Sequence, residues 1–172
     1  EPEAFSGFMA RYGKFFNVRN YIAVTGKNSA DSQQACGYYG EKIVLTAQAL
    51  GLNTCWVAMT YSKNKTKVHL EKGEKILFVI AVGYGTTEGV PHKSKQRDDV
   101  IFADGPLPQW FIDGIDAALL APTAMNQQKF KFYLNGNKVS VKPKIGFYSK
   151  TDLGIVKRHF EIGAGSDNFQ WV

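Results

Sequence analysis

One stretch, KILFVIAVGYG at residues 75–85, constrains the fold more than any other. From Ile76 to Val82 every side chain is apolar, and most are β-branched or aromatic. A strand with one wet face alternates apolar and polar residues; this one does not, so it reads as a central strand covered on both faces. The rest of the chain must supply those covers. With 172 residues, 44% hydrophobic and 13% aromatic, it can build a sizeable core, as one domain or as two half-domains sharing that core. No apolar run reaches transmembrane length and no signal peptide is recognisable, so a cytoplasmic protein without membrane contact is expected. Cys36 and Cys55 form no CxxC pair, and His69, His92 and His159 lack ligand spacing, so neither a zinc site nor a disulfide framework is expected. The net charge of +6 permits an anionic partner.

Around that strand the sequence reads as follows. Residues 18–26 form a strand, and Ser29, Asp31 and Ser32 offer caps for a helix over 33–50. Its buried face is expected at Cys36, Gly40, Ile43, Ala47 and Leu50, with Gly51 as the stop. Residues 53–59, NTCWVAM, form a short strand, and the stretch after Gly85 runs irregularly as far as Phe102. Trp110, Ile112, Ile115, Ala118 and Leu119 mark the inner face of a helix over 109–121. Asn135-Gly136 between two alternating runs signals a hairpin. Thr151 and Asp152 are expected to cap a last helix. The two halves look alike, which suggests pseudo-repeats at about 1–103 and 104–172 within a single domain. Such a chain would be a monomer imitating a dimer, or a homodimer.

Four constellations bear on chemistry. Gly83, Gly85 and Gly89 follow a strand, but GxGxxxG followed by VPHKSK does not open a helix, so a strand end and turn is preferred to a dinucleotide fingerprint. In HKSKQR, Lys93 and Lys95 project the same way from an extended segment and suit a phosphate monoester; the alternative is a solvated loop. Asn126, Gln127 and Gln128 stand where a helix hands over to a strand. Their mixed donors and acceptors suit a flat heterocycle, although an Asn-based turn would use one of them. Trp56 and Met59 offer apolar walls, with backbone N–H groups near Val57 and Ala58; plain core packing is the alternative. No nucleophile–base pair stands out. Glu41 and Glu161 lie in helices with nothing in the sequence to pair them, so any catalysis is expected to belong to a cofactor.

Residues 45–59, LTAQALGLNTCWVAM, and 73–95, GEKILFVIAVGYGTTEGVPHKSK, resemble the second half of flavin-dependent nitroreductases. Residues 117–132, AALLAPTAMNQQKFKF, resemble that family's AxxAPSxxNxQPWxF motif, placed here after the GLGTCW-like piece rather than before it. That order is similar to a nitroreductase subfamily with two degenerate halves fused in one chain. The resemblance implies an α+β fold, a central antiparallel or mixed sheet flanked by helices, with FMN as cofactor. It implies that Pro122, Thr123, Ala124, Asn126 and Gln128 approach the ring and ribityl chain, that Trp56, Val57, Ala58 and Met59 lie at the ring's other edge, and that Lys93 and Lys95 hold the phosphate. The implied reaction takes hydride from NAD(P)H to the flavin and on to a small-molecule electron acceptor such as a nitroaromatic or quinone. A flavin-binding domain without turnover is the alternative. A nucleic-acid patch of Lys63, Lys65, Lys67, Lys93, Lys95 and Arg97, with Tyr61 stacking, ranks last, and no nucleic-acid partner is expected. Lys129-Phe130 stand where the family has Trp, Ala58-Met59 stand for a glycine pair, and no Arg-Arg-Ser-x-Arg type run is present. Together with an opening EPEAFSGF that lacks Met, this gives the expectation of a piece of a longer product.

Overall fold

The computed structural model describes residues 2–172, with the side chains of Pro2 and Met9 excepted. The chain forms two compact units: residues up to Cys36 with Lys42–Gly89, and Gly37–Glu41 with Val90–Val172. No helix among the described residues is long and apolar enough to cross a membrane.

The first unit holds α1 (Phe8–Tyr12), β1 (Asn20–Lys27), most of α2 (Ala30–Ala49), β2 (Asn53–Val57) and β3 (Glu74–Gly83). Its antiparallel sheet has the order β1-β3-β2. β3 is central, as its apolar run requires, and Phe78, Val79, Ile80 and Ala81 are buried in succession on both faces. Register runs Asn20↔Val82 to Lys27↔Glu74 on one side, with a bulge at Val24/Thr25, and Asn53↔Gly83 to Val57↔Val79 on the other. One face packs on Ala4, Phe5, Ala10 and Tyr61. Tyr61 is 4% exposed, so the ring expected to stack on a base is a core residue. Gly83 ends β3, and Gly85 N–H donates to Asn53 Oδ1 at 2.7 Å. The glycines thus form a strand end and turn.

α2 begins as its sequence predicts, with Ser29 Oγ accepting from Ser32 N–H at 3.2 Å. Its buried stripe differs from expectation. Gly37, Gly40, Glu41, Val44 and Ala47 are inside, while Ile43 and Leu50 are exposed. The spacing is helical in both versions; a buried carboxylate at position 41 rotates the stripe.

The second unit holds α3 (Arg97–Val100), β4 (Ile101–Ala103), α4 (Gln109–Leu119), β5 (Phe130–Asn135), β6 (Lys138–Pro143), α5 (Ser149–Ala164) and β7 (Gln170–Trp171). Its mixed sheet runs β4-β5-β6-β7, with β4 parallel to β5, β5 antiparallel to β6 and β6 parallel to β7. The hairpin pairs Asn135 with Lys138, and Gly136 supplies φ +60° for the tight turn. α3, β4 and β7 are additions to the sequence reading. α4 buries Phe111, Gly114, Ile115, Ala118 and Leu119, so the inner face is centred on Phe111 rather than on Trp110 and Ile112. Phe111, Phe130, Phe132 and Phe160 are fully buried, each contributing about 1.5–3 kcal/mol by burial. α4 and α5 approach through glycine: a Cβ on Gly114 would lie 2.6 Å from the Phe160 ring, and one on Gly163 would meet Asp113 O and come 2.7 Å from Ala117 Cβ.

α5 starts at Ser149, with Tyr148 as N-cap in the left-handed region at φ +52°. Thr151 and Asp152, expected as caps, lie inside the first turn and are buried. Glu41 and Glu161 both have partners, against expectation. Glu41 Oε1 lies 2.8 Å from His159 Nε2. Glu161 accepts from Tyr38 Oη at 2.5 Å and from Trp171 Nε1 at 2.9 Å, with Arg158 Nη1 at 3.6 Å. Neither carboxylate is a free base.

Candidate functional site

The second unit brings together two of the segments singled out from the sequence, the strap at residues 90–96 and the loop at 122–128. Both lie at the C-terminal end of α4, where helix carbonyls lack partners within the helix. Ser94 Oγ donates to Leu119 O at 3.2 Å, and His92 Nε2 lies 3.3 Å from Leu120 O. The strap therefore runs past the helix end. Pro122 follows and is exposed, while Thr123 is buried.

The loop then turns through Met125, Asn126 and Gln128 with φ of +53°, +50° and +46°. Asn tolerates this region; Met and Gln do so only under constraint. The constraint is a clasp of side-chain amides on the strap backbone. Asn126 Nδ2 donates to Lys93 O at 2.8 Å. Gln128 Nε2 donates to Lys93 O at 3.0 Å and to Asn126 Oδ1 at 2.7 Å. Gln128 Oε1 accepts Lys95 N–H at 2.8 Å, and Gln128 N–H donates to Thr123 Oγ1 at 3.1 Å. Gln128 is 1% exposed, and both polar atoms of its amide are spent on these bonds. The amides expected to face a heterocycle are thus engaged with protein backbone.

Lys95 closes the clasp, its Nζ donating to Gln128 O at 2.8 Å. Its ammonium is held below the usual lysine range, first by burial and then by the nearby Lys129 and Lys144, with Asp99 opposing. Lys144 is brought there by the hairpin, its N–H donating to Lys129 O at 2.8 Å. Lys93 is exposed. Lys93, Lys95, Asn126 and Gln128, with Ser94, Gln96 and Asp99, line an open depression of about 400 Å³. A neighbouring depression of about 530 Å³ shares Ser94, Lys95 and Gln96 and adds Arg97, Asp98 and Asp116. Arg97 is paired there with Asp116, Nε to Oδ1 at 2.6 Å. Crowded cations beside an open depression favour an anion, which would neutralise them. Lys129 and Lys144 had not been singled out; they stand far along the chain from Lys95, and only the hairpin register reveals them.

The loop has a second set of bonds. Ala124 N–H donates to Asp152 Oδ1 at 3.0 Å, and Gln127 Nε2 donates to Asp152 Oδ2 at 3.0 Å. Gln127 Nε2 also donates to Phe147 O, and Gln127 Oε1 accepts Phe147 N–H at 3.2 Å. Burial pushes the Asp152 carboxyl up to about 6, against the pull of the Ala124 and Gln127 donors.

Trp56, Val57, Ala58 and Met59 lie in the first unit, at the end of β2. Trp56 packs on Phe78 with ring centroids 4.8 Å apart, and Val57 is in the core. Ala58 and Met59 fall beyond the last strand pair, Val57↔Val79, and Met59 is exposed.

A family model described as "Putative TM nitroreductase" matches residues 1–164. The crystal structure of a putative nitroreductase from Thermotoga maritima is similar at a TM-score of 0.67 and 25% identity, over 86% of this chain and 61% of that one. The chain therefore spans about three fifths of that relative's length. No curated protein matches it.

Proposed function

The chain belongs to the putative TM nitroreductase family, matched over residues 1–164, and on that premise we propose that it is an FMN-dependent oxidoreductase. Its electron donor is NAD(P)H and its acceptor a nitroaromatic, quinone or similar small molecule. The observation that carries the reading is the crowding of Lys95 by Lys129 and Lys144 beside the depression lined by Lys93, Lys95, Asn126 and Gln128. Those residues fit the phosphate-bearing end of a flavin mononucleotide: Asp99 offsets only part of the positive charge around Lys95, and the wall supplies ammonium donors.

When bound, FMN supplies the hydride and electron chemistry. The chain's own residues bind and orient. Lys93 and Lys95 hold the phosphate, with Lys129 and Lys144 adding attraction at longer range. Asn126 and Gln128 act through the backbone they hold: they fix the strap so that Lys95 stands at the depression. Pro122, Thr123 and Ala124 present the loop backbone to the ligand. Trp56, Val57, Ala58 and Met59, in the first unit, are assigned to the flavin ring by the family resemblance alone, and of the four Ala58 and Met59 have backbone beyond the last strand pair. No side chain is asked to act as nucleophile or base, in keeping with the pairing of Glu41 and Glu161.

One observation favours a second reading, a flavin-binding domain without turnover. The Asn126 and Gln128 amides are spent within the protein, which leaves fewer donors for a ring.

Adding FMN to the purified chain separates the two. Uptake with quenched flavin fluorescence, then bleaching on NADH or NADPH, supports the oxidoreductase. Uptake without bleaching supports the second reading. A chain that takes up no FMN refutes both.

A further inference from the structure

The loop at 122–128 is held in a geometry that two of its residues resist. Backbone strain of this kind persists only where the surroundings over-determine it. The strap clasp accounts for Asn126 and Gln128. Ala124 and Gln127 are fixed separately, by one buried carboxylate at the start of α5 and by the backbone of Phe147.

We propose that Asp152 and Gln127 form a clamp that sets the loop, and that ionised Asp152 is a positioning residue through which acidity regulates ligand capture at the strap depression. The ligand half of this rests on the flavin reading above. Each Asp152 oxygen faces an N–H donor, so both bonds need an acceptor. Protonation makes one oxygen a donor, and one of the two bonds is lost. With the carboxyl raised to about 6 by burial, that loss falls within the range a cell can reach.

The surroundings leave the clamp to this one group. The loop itself, PTAMNQQ, carries no titratable side chain. The segment leading into α5 brings Tyr148, and α5 itself brings Lys150. The part of α2 against Thr151 is Gly37. Farther along α5, His159 is bonded to Glu41. Among the described residues, what moves the Asp152 carboxyl is burial and its two donors, and none of these charged groups.

The test uses the 15N-labelled chain from pH 4.5 to 8, with Asp152→Asn and Gln127→Ala beside it. Nuclear magnetic resonance follows the Ala124 amide and the Gln127 side-chain NH2 group. Flavin fluorescence gives FMN affinity at each pH, and urea unfolding reports stability. The clamp predicts that both resonances titrate together near pH 6 and that FMN affinity falls roughly fivefold to tenfold on acidification, the effect of one lost hydrogen bond. Asp152→Asn and Gln127→Ala should then show the lowered affinity at every pH, keeping only the pH dependence that the FMN phosphate, itself titrating at about pH 6, brings to all three chains. A merely structural role would lower stability and leave the pH profile of binding unchanged. Resonances that stay still between pH 5 and 7 overturn the clamp. Asp152→Asn binding FMN with the parent's pH profile overturns the regulation. A chain that takes up no FMN at any pH overturns the flavin reading and the regulatory half together, and the resonances alone then decide the clamp.

Discussion

Replacing Gln128 by alanine tests whether the amide clasp holds the second unit together. The side chain makes three hydrogen bonds, to Lys95 N–H, Lys93 O and Asn126 Oδ1, at 2.8, 3.0 and 2.7 Å. Lys93 and Asn126 are exposed, so their oxygens regain water, and each lost bond costs about 1 kcal/mol. Lys95 N–H is half-buried; stranding it costs about 1–3 kcal/mol. The backbone bonds of residue 128 to Thr123 Oγ1 and Lys95 Nζ survive, which limits the damage. The loss should therefore be about 3–5 kcal/mol, read as a lower urea midpoint at unchanged slope. In a chain of this size it lowers the melting temperature by about 6–20 °C. Gln128→Glu keeps the acceptor for Lys95 N–H but buries a carboxylate oxygen against two other acceptors, so it should cost at least as much as alanine. A loss below about 0.5 kcal/mol for Gln128→Ala would falsify the clasp as a structural element.

Other consequences are equally open to measurement. Gly163→Ala improves helix propensity by about 1 kcal/mol yet drives a methyl into Asp113 O and Ala117; thermal melts should show a net loss of about 2 kcal/mol or more. Glu41→Ala leaves the half-buried His159 without this partner and should cost about 1–3 kcal/mol, against a smaller loss for Glu41→Gln, which can still hydrogen-bond; chemical denaturation ranks the two. Inorganic phosphate at tenfold its dissociation constant should stabilise the chain by about 1.4 kcal/mol over chloride of equal ionic strength, and Lys95→Ala should abolish the difference. The folded carboxyl of Asp152 sits at about 6 against an ordinary 3.8, so its contribution to stability is fully present below 3.8 and lost as pH rises through 6. The stability of the parent relative to Asp152→Asn should therefore fall between pH 4 and 7; a flat difference contradicts the burial argument.

Local signals were legible wherever a few neighbouring residues decide the outcome. The run from Ile76 to Val82 demanded a doubly covered strand and is the centre of its sheet. Ser29 capped α2, and Asn135-Gly136 turned the hairpin. What escaped depends on partners far along the chain. Glu41 looked unpaired because His159 is 118 positions away, and its burial rotated the stripe of α2. α5 began early because Tyr148 takes a left-handed conformation without glycine, which no local rule announces. The amide cluster was visible as an anomaly, and the resemblance carried family and fold. Its partners, the carbonyl of Lys93 and the amide of Lys95, were not visible, because backbone groups are the same at every position.

The left-handed turn bears on how this sequence can drift. A non-glycine residue in that region lies about 1 kcal/mol uphill, so glycine relaxes the backbone at any of the three places. At Met125, whose side chain is 84% exposed, that gain carries little penalty. At Asn126 and Gln128 it deletes the groups that grip the strap. Substitution should be permissive at 125 and forbidding at its two neighbours, a contrast that a saturation library of the loop would display as one tolerant column beside two intolerant ones.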